Sequence, residues 1–425
     1  MENELDHLTG QRPFHLLTLA ADSKAGLREA ARQRYQQISQ NNTTLAAVSQ
    51  SLRRENGRSS APWRAAAVAA DPAEALAHLE AWQQQDALLW QITAPAPPRL
   101  AFLFTGHGAQ YAGMGHNLYQ TAPVFRQAME ECEKALRPFL NHSLYDILYH
   151  PDHAPRLLNS MTHAQAALFA LAYGLTRVWH SLGVQPAAVM GHSLGEYVAA
   201  AVAGVFSLTD AARLIATRSR LMDAITETGQ MAVIFAEEAL VAQAIAPFAD
   251  EVAIAVINGE ANVVISGRET AVQTILDRLK KERVRSRRLD VAQAAHSPLL
   301  DPVLSEFEAV AATIQYHDPD PRLTYISTVT GRPVAPGEVT NAVYWRRHLR
   351  QPVRFADAMQ SLYATGHTHF LEIGPQPTLL GMGKRCLPAD VGHWLPSLEK
   401  DKENWQVLLD SAATLYCQGI AITES

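Results

Sequence analysis

The chain has 425 residues, 48% of them hydrophobic and 18% charged, with a formal charge of -6, enough apolar material for two or three packed units and no general excess of positive charge to draw nucleic acid or an anionic membrane. Its three cysteines, Cys132, Cys386 and Cys417, lie far apart without metal-ligand spacing, which argues against a disulfide framework or zinc site and for a reducing cytoplasm. Neither a signal-peptide pattern nor a run of about 18 apolar residues occurs, so export and membrane spanning are not expected.

In chain order, "FHLLTLA" (14 to 20) predicts a strand, "AGLREAARQRYQQI" a long polar helix, "RAAAVAA" (64 to 70) a second strand, and the stretch from Pro72 to about Gln84 a second helix. Together they make a small α/β unit over 1–97, closed by the proline-rich "ITAPAPPRL". "LAFLFTGHGAQYAGMG" (100 to 115) then reads as a buried strand running into a glycine-rich turn. "PAAVMGHSLGEYVAAAVAGV" supplies strand, sharp turn and helix in succession, the pattern of a parallel α/β core. Between 229 and 293 the order becomes βαββαβ, that of a ferredoxin-like unit, and α/β signals return with "THFLEIGPQPTLLGMG" at 368 to 383. The expected fold class is α/β: a hydrolase-like parallel-sheet core over 98–228 and 294–390, the insert at 229–293, the N-terminal α/β unit, and a tail at 391–425.

Gly191, His192, Ser193, Leu194 and Gly195 match G-x-S-x-G, the nucleophile elbow, in which a strand turns into a helix so sharply that side chains at the flanking positions would clash. The turn lifts a serine oxygen beside a helix N-terminus, whose free N–H groups favour developing negative charge. A serine needs a base, normally histidine, and seventeen are present. His192 should point away from Ser193 and pack, whereas His296 in "VAQAAHSPLLDP" sits where the insert returns to the core; on position alone, a noncatalytic loop histidine is an equal alternative there. His150, His153, His367 and His369 read as solvated or packed rather than as metal ligands. "FTGHGAQ" offers a second glycine-rich turn, able to give an oxyanion a backbone N–H to pair with that of Leu194, or to be a tight turn with no ligand; it lacks the lysine of a Walker loop.

In order, "FTGHGAQYAGMG", "GHSLGEYVAA", "TRSRLM", "INGEANVVISG", "AAHSPLLDP", "YWRRHLRQPVRF" and "FLEIGPQPTLLGMG" resemble malonyl-CoA:acyl carrier protein transacylases, and above all the acyltransferase domains of modular polyketide synthases. The resemblance spans about 100 to 390, and the flanks look like that family's ketosynthase-to-acyltransferase linker and post-acyltransferase tail. It implies Ser193 as the acylated nucleophile, His296 as its base, the main-chain carbonyl of His348 as the group orienting that base, and the N–H groups of His107 and Leu194 as the oxyanion hole. Arg218, 25 residues after Ser193, would bind the free carboxylate of the extender unit, a task suited to paired guanidinium donors; read without the resemblance, it is an ordinary helix-face arginine. Gln110 and Asn258 would support the pocket.

Two departures stand out. His107 replaces the family's usual glutamine, which a backbone donor tolerates. The motif before the base reads Gln293-Ala294-Ala295-His296, where malonyl-selective members have His-Ala-Phe-His and methylmalonyl-selective ones Tyr-Ala-Ser-His. Ala295 should open space beside the extender's C2 and Gln293 should add hydrogen-bonding capacity, which suits a malonyl-class unit with a small polar C2 group such as aminomalonyl; plain malonyl remains the equal alternative. The initiator methionine and the lack of a ketosynthase suggest a free-standing, trans-acting enzyme similar to the aminomalonyl transferases of colibactin-type assembly lines, though an excised domain would read the same. The expectation is thus a monomeric cytoplasmic acyltransferase with no bound cofactor or metal, using acyl-CoA or phosphopantetheinyl carrier thioesters, with acyl carrier protein and polyketide synthase modules as partners. Basic "KKERVRSRRL", with Arg285 and Arg287, could dock an acidic carrier or be a solvated surface. A serine hydrolase or thioesterase, and a noncatalytic scaffold, are the competing readings.

Overall fold

A computed structural model describes residues 12–40, 44–94, 96–290 and 293–423. The N-terminal unit is an antiparallel sheet of β1 (His15–Ala21), β2 (Trp63–Ala69) and β3 (Trp90–Gln91), in that order. Its helices are Lys24–Gln40, Leu45–Asn56 and Pro72–Gln84. The middle one was not expected from its polar sequence. Thr44 caps it by accepting from the N–H of Ala47, and Leu45, Val48, Ser49 and Leu52 bury one face at helical spacing.

The core sheet begins with β4 (Leu100–Phe104) and β5 (Ala188–Gly191), which pair in parallel. Every residue of both is buried because both sheet faces are covered. Alternation along β4 divides the load: Phe102 and Phe104 enter the cluster around the Met161–Ser181 helix, while Ala101 and Leu103 meet Phe355 and Met359 on the other face.

The chain then leaves the core for β6 (Gly229–Ile234), β7 (Val252–Gly259), β8 (Asn262–Arg268) and β9 (Ser286–Arg288). They form an antiparallel sheet in the order β7-β8-β6-β9, with helices Glu238–Ile245 and Glu269–Lys281 supplying apolar side chains to its core. This is the ferredoxin-like arrangement expected; the last strand of the βαββαβ order, "VRSRRLDV", is a strand at Ser286–Arg288, and its final residue, 291, lies outside the described residues. Val353 ties the sheet back to the core: its N–H donates to Ala255 and its carbonyl accepts from Ile257, which carries the end of β7 over the elbow.

Back in the core, β10 (Thr324–Ser327), β11 (Arg332–Pro333), β12 (His369–Ile373) and β13 (His393–Pro396) complete the order β11-β10-β5-β4-β12-β13. All neighbours are parallel except the short β11 against β10. The final helix, Asn404–Cys417, packs on β1 and β2. Arg64 Nη1 donates to the Tyr416 carbonyl at 2.9 Å and Tyr416 Oη to the Asn56 carbonyl at 3.2 Å, so the tail straps the N-terminal unit to the core.

Candidate active site

Ser193 sits at the end of β5 with φ of 50°, a left-handed conformation that a non-glycine residue adopts only when its surroundings force it. The flanking glycines are part of that constraint. A β-carbon on Gly191 would strike the backbone of Gly195 and Glu196, and one on Gly195 would strike the carbonyl of Phe104. The helix Gly195–Val202 starts directly beyond. Opposite it, Gly106 lets the turn after β4 press against the elbow, since its β-carbon would lie 2.6 Å from the His192 carbonyl. Among the described residues, the N–H groups of His107 and Leu194 are not engaged by backbone partners, leaving two donors at the mouth of these turns.

Ser193 Oγ lies 2.8 Å from His296 Nε2, so a segment about a hundred residues away meets the elbow. His296 Nδ1 lies 2.8 Å from the carbonyl of Gln351. This corrects the expectation that the His348 carbonyl would orient the ring. The helix Ala342–Arg350 ends before Gln351, whose extended backbone (φ -82°, ψ 161°) turns its carbonyl off the helix axis and toward the imidazole. Donation to that carbonyl puts the proton on Nδ1 and leaves Nε2 as the acceptor. Burial, then the charge of Arg218, lowers the pKa of His296 well below its usual value against the opposing pull of the carbonyl. The ring is therefore a neutral base at physiological pH.

His348 has a different place. Its ring is buried, edge-on to Tyr197, with Nε2 3.5 Å from Glu196. Glu196, 0% exposed, accepts from the Thr328 N–H at 3.0 Å and from the hydroxyls of Thr328 and Tyr344. Burial raises its pKa, but His348 and these donors outweigh burial and hold the carboxyl below its usual range. This network under the elbow was missed in the sequence, where Glu196 was not singled out.

Arg218 is 1% exposed, and Nη2 donates to Ser193 Oγ at 3.1 Å. Nη1 donates to Gln165 Oε1, the guanidinium lies 5.8 Å from the centre of the Tyr197 ring, and Nε has no hydrogen-bond partner among the described residues. No carboxylate forms an ion pair with it among the described residues. Gln165 was also missed, and a lone amide in the apolar run "AQAALFALA" was the available signal.

These groups face a cavity of about 180 Å³. His107, Asn258, Gln293 and Ala295 all line it, together with the apolar Met231, Val264, Leu289 and Met382. Gly229 explains the facing of the last two expected selectivity residues: its hydrogen stands where a β-carbon would meet Ala294 Cβ at 2.5 Å, so Ala294 packs against β6 while its neighbours turn to the cavity. Asn258 Oδ1 lies 3.2 Å from His192 Nε2, and both residues line the cavity. Gln110 is not part of the lining; its amide instead lies 3.2 Å from His107 Nε2 and accepts from the Gly108 N–H at 2.8 Å, bracing the turn. Burial, then Arg218, lowers the pKa of His107 to about 4, so it is neutral as well. Arg285 and Arg287 are exposed, the first lying 5.0 Å over the Phe235 ring, and β9 leads directly to Leu289 in the cavity wall. Among the described residues no group of three or more His, Cys, Asp or Glu could hold a metal ion, and no helix is long and apolar enough to cross a membrane.

Residues 101–422 match the acyl transferase domain family. Mycoketide-CoA synthase of Mycobacterium tuberculosis is 40% identical over 86% of this chain, and erythronolide synthase EryA2 of Saccharopolyspora erythraea 34% identical over 96%. The chain spans only 9% and 11% of the length of those two relatives. Among solved structures, the acyl transferase domain of ZmaA shares 31% identity with a TM-score of 0.87, covering 97% of this chain and 96% of that one. A malonyl-CoA:acyl carrier protein transacylase from Xanthomonas oryzae pv. oryzae shares 29% identity with a TM-score of 0.66, covering 74% of this chain and 98% of that one. With the elbow, the core sheet and the ferredoxin-like insert already in place, this chain belongs to the acyl transferase domain family.

Proposed function

We propose that this protein moves a malonyl-class acyl group from a CoA or carrier-protein thioester, through an ester on Ser193, to the phosphopantetheine thiol of an acyl carrier protein. The observation that carries the reading is Arg218: a buried guanidinium with no carboxylate partner among the described residues, within hydrogen-bond reach of the nucleophile. An uncompensated buried charge is costly, and a substrate carboxylate would relieve that cost while aligning the thioester.

His296 Nε2 takes the proton of Ser193 as Oγ attacks the thioester carbon. The oxyanion is held by the N–H groups of His107 and Leu194, the C–S bond breaks, and the departing sulfur takes the proton from His296. An incoming phosphopantetheine thiol then gives its proton to His296, attacks the ester and leaves Oγ reprotonated. The chemistry calls on no bound cofactor or metal.

The extender is malonyl or a small C2-polar derivative such as aminomalonyl. Ala295 and Gln293 both line the cavity, so the small side chain leaves the C2 side uncrowded and the Gln293 amide offers it a polar partner. In this reading residues 1–97 and the tail act as linker segments, Arg285 and Arg287 attract an acidic carrier, and the enzyme works in the cytoplasm, as a monomer serving polyketide or hybrid polyketide/nonribosomal peptide modules.

Intact-protein mass tests this directly. Incubation with malonyl-CoA is expected to add one acyl group to the protein and none to Ser193→Ala, and the adduct should pass to a carrier protein. Loss of the adduct to water alone would establish a hydrolase instead, and no adduct from any carboxylated donor would favour a scaffold. Competition among malonyl, methylmalonyl, hydroxymalonyl and aminomalonyl donors then reads the extender; dominance of methylmalonyl would overturn the role given to Gln293.

A further inference from the structure

We propose that Gln165 is the positioning residue that lets Arg218 distinguish carboxylated from uncarboxylated acyl donors. The inference rests on the reading of Arg218 as the carboxylate receptor, and it assigns the discrimination to a residue on another helix.

Three observations converge on it. Gln165 is completely buried in the Met161–Ser181 helix, in a run of alanine, leucine and phenylalanine where an amide has no packing advantage. Its Oε1 accepts from Nη1 of Arg218, 53 positions away, while Nε2 rests at 3.9 and 3.7 Å from the sulfur atoms of Met161 and Met222, contacts too weak to explain a buried amide. The two helices are also pinned together at one end. Asp223, last residue of the Arg218 helix (Leu208–Asp223), accepts from the N–H groups of Met161 and Thr162 at 3.2 and 2.9 Å and from the hydroxyls of Ser160 and Thr162 at 2.9 and 2.7 Å. Gln165 thus meets Arg218 in a fixed register one turn beyond this clamp.

An amide oxygen is suited to the task because it is neutral. A carboxylate at position 165 would orient the guanidinium equally well but would satisfy its charge, leaving little attraction for a substrate carboxylate. Gln165 instead fixes one edge of the guanidinium and leaves its charge uncompensated. Without a substrate, the other edge donates to Ser193 Oγ. A bound carboxylate would take that donor, freeing a lone pair of the nucleophile in the same step. Selectivity then has two parts, attraction of the carboxylate and release of Ser193, and both require Nη1 to be held.

Acylation of Ser193 by malonyl-CoA and by acetyl-CoA, followed by intact mass in wild type, Gln165→Met and Gln165→Glu, tests the assignment. Methionine keeps the volume without the acceptor; glutamate keeps the acceptor and adds a charge. Both variants are expected to lose roughly ten- to a hundredfold of the malonyl preference, mainly as a raised KM for malonyl-CoA, with acetylation unchanged or faster. An equal fall for both donors would mean a purely structural role, and an unchanged preference in Gln165→Glu would show that the neutrality of the amide is irrelevant; either result overturns the proposal. Wild-type protein that takes up neither donor would instead remove the transferase reading itself, so the two failures are separable.

Discussion

At the scale of single residues, the site depends on neighbours that suppress the charge of the base. His296 is kept neutral by burial and by Arg218, and its tautomer is set by a main-chain carbonyl rather than an acid. Because its pKa lies well below the usual 6.5, acylation of Ser193 should stay level as pH falls through 6.5 and drop only well below it. Rapid-quench mass measurements of acyl-enzyme formation across pH 4 to 8 check this; a half-maximal rate at or above 6.5 would contradict the neutral, desolvated ring. The sequence pointed to His296 through its neighbours in the chain but misassigned its partner. A motif shows which helix comes near, whereas the acceptor depends on where that helix stops, and it stops before Gln351.

At the scale of elements, the elbow, the turn after β4 and the insert's return segment converge because each is held by backbone contact. Gly106, Gly191 and Gly195 are the residues whose missing side chains permit that approach, and they stood out in the sequence for this reason. The helix Leu45–Asn56 did not, since its apolar stripe is short and interrupted by Ser49 and Arg53; Ser49 finds its carbonyl partner, Leu16, only in the folded unit, and Arg53 donates to Ser49. β9 is the edge strand of the insert, and Arg287 in it and Arg285 just before it are exposed close to Leu289 in the cavity wall. If this edge steers an acidic carrier, reversing both to glutamate should slow transfer to carrier protein by roughly tenfold at low salt and much less at high salt, while acylation by malonyl-CoA is unchanged. Stopped-flow transfer at two ionic strengths reads the difference, and equal rates at low salt would remove the docking role.

For the whole molecule, buried ionisable groups make stability depend on pH. The pKa of His107 and of His369 is lowered to about 4, in both mainly by burial, and burial also holds that of His296 well below the usual 6.5. Between about 6.5 and 4 the unfolded chain therefore binds protons that the folded chain refuses, and stability falls as pH falls. Glu372 acts in the opposite sense. Burial raises its pKa to about 7 against the N–H groups of Leu379 and Leu380 and the Thr105 hydroxyl, so below 7 the folded chain holds a proton that the unfolded chain releases until about 4.5. Burial lowers the pKa of His116, His163, His180, His192 and His367 as well, so the histidines together outweigh this one glutamate. Tm should be lower at pH 5 than at pH 7.5, and Glu372→Gln should enlarge the gap; calorimetry showing a flat or reversed dependence would contradict these burial effects. By itself the sequence determined the strand-turn-helix at Ser193, the βαββαβ insert and the family, because these rest on short-range spacing and turn chemistry. Tertiary structure alone decided that Gln351 orients the base, that Glu196 anchors a polar network under the elbow, and that Gln165 meets Arg218. Each of those contacts joins elements far apart in the chain, at distances set by helix ends and packing angles that no local pattern encodes.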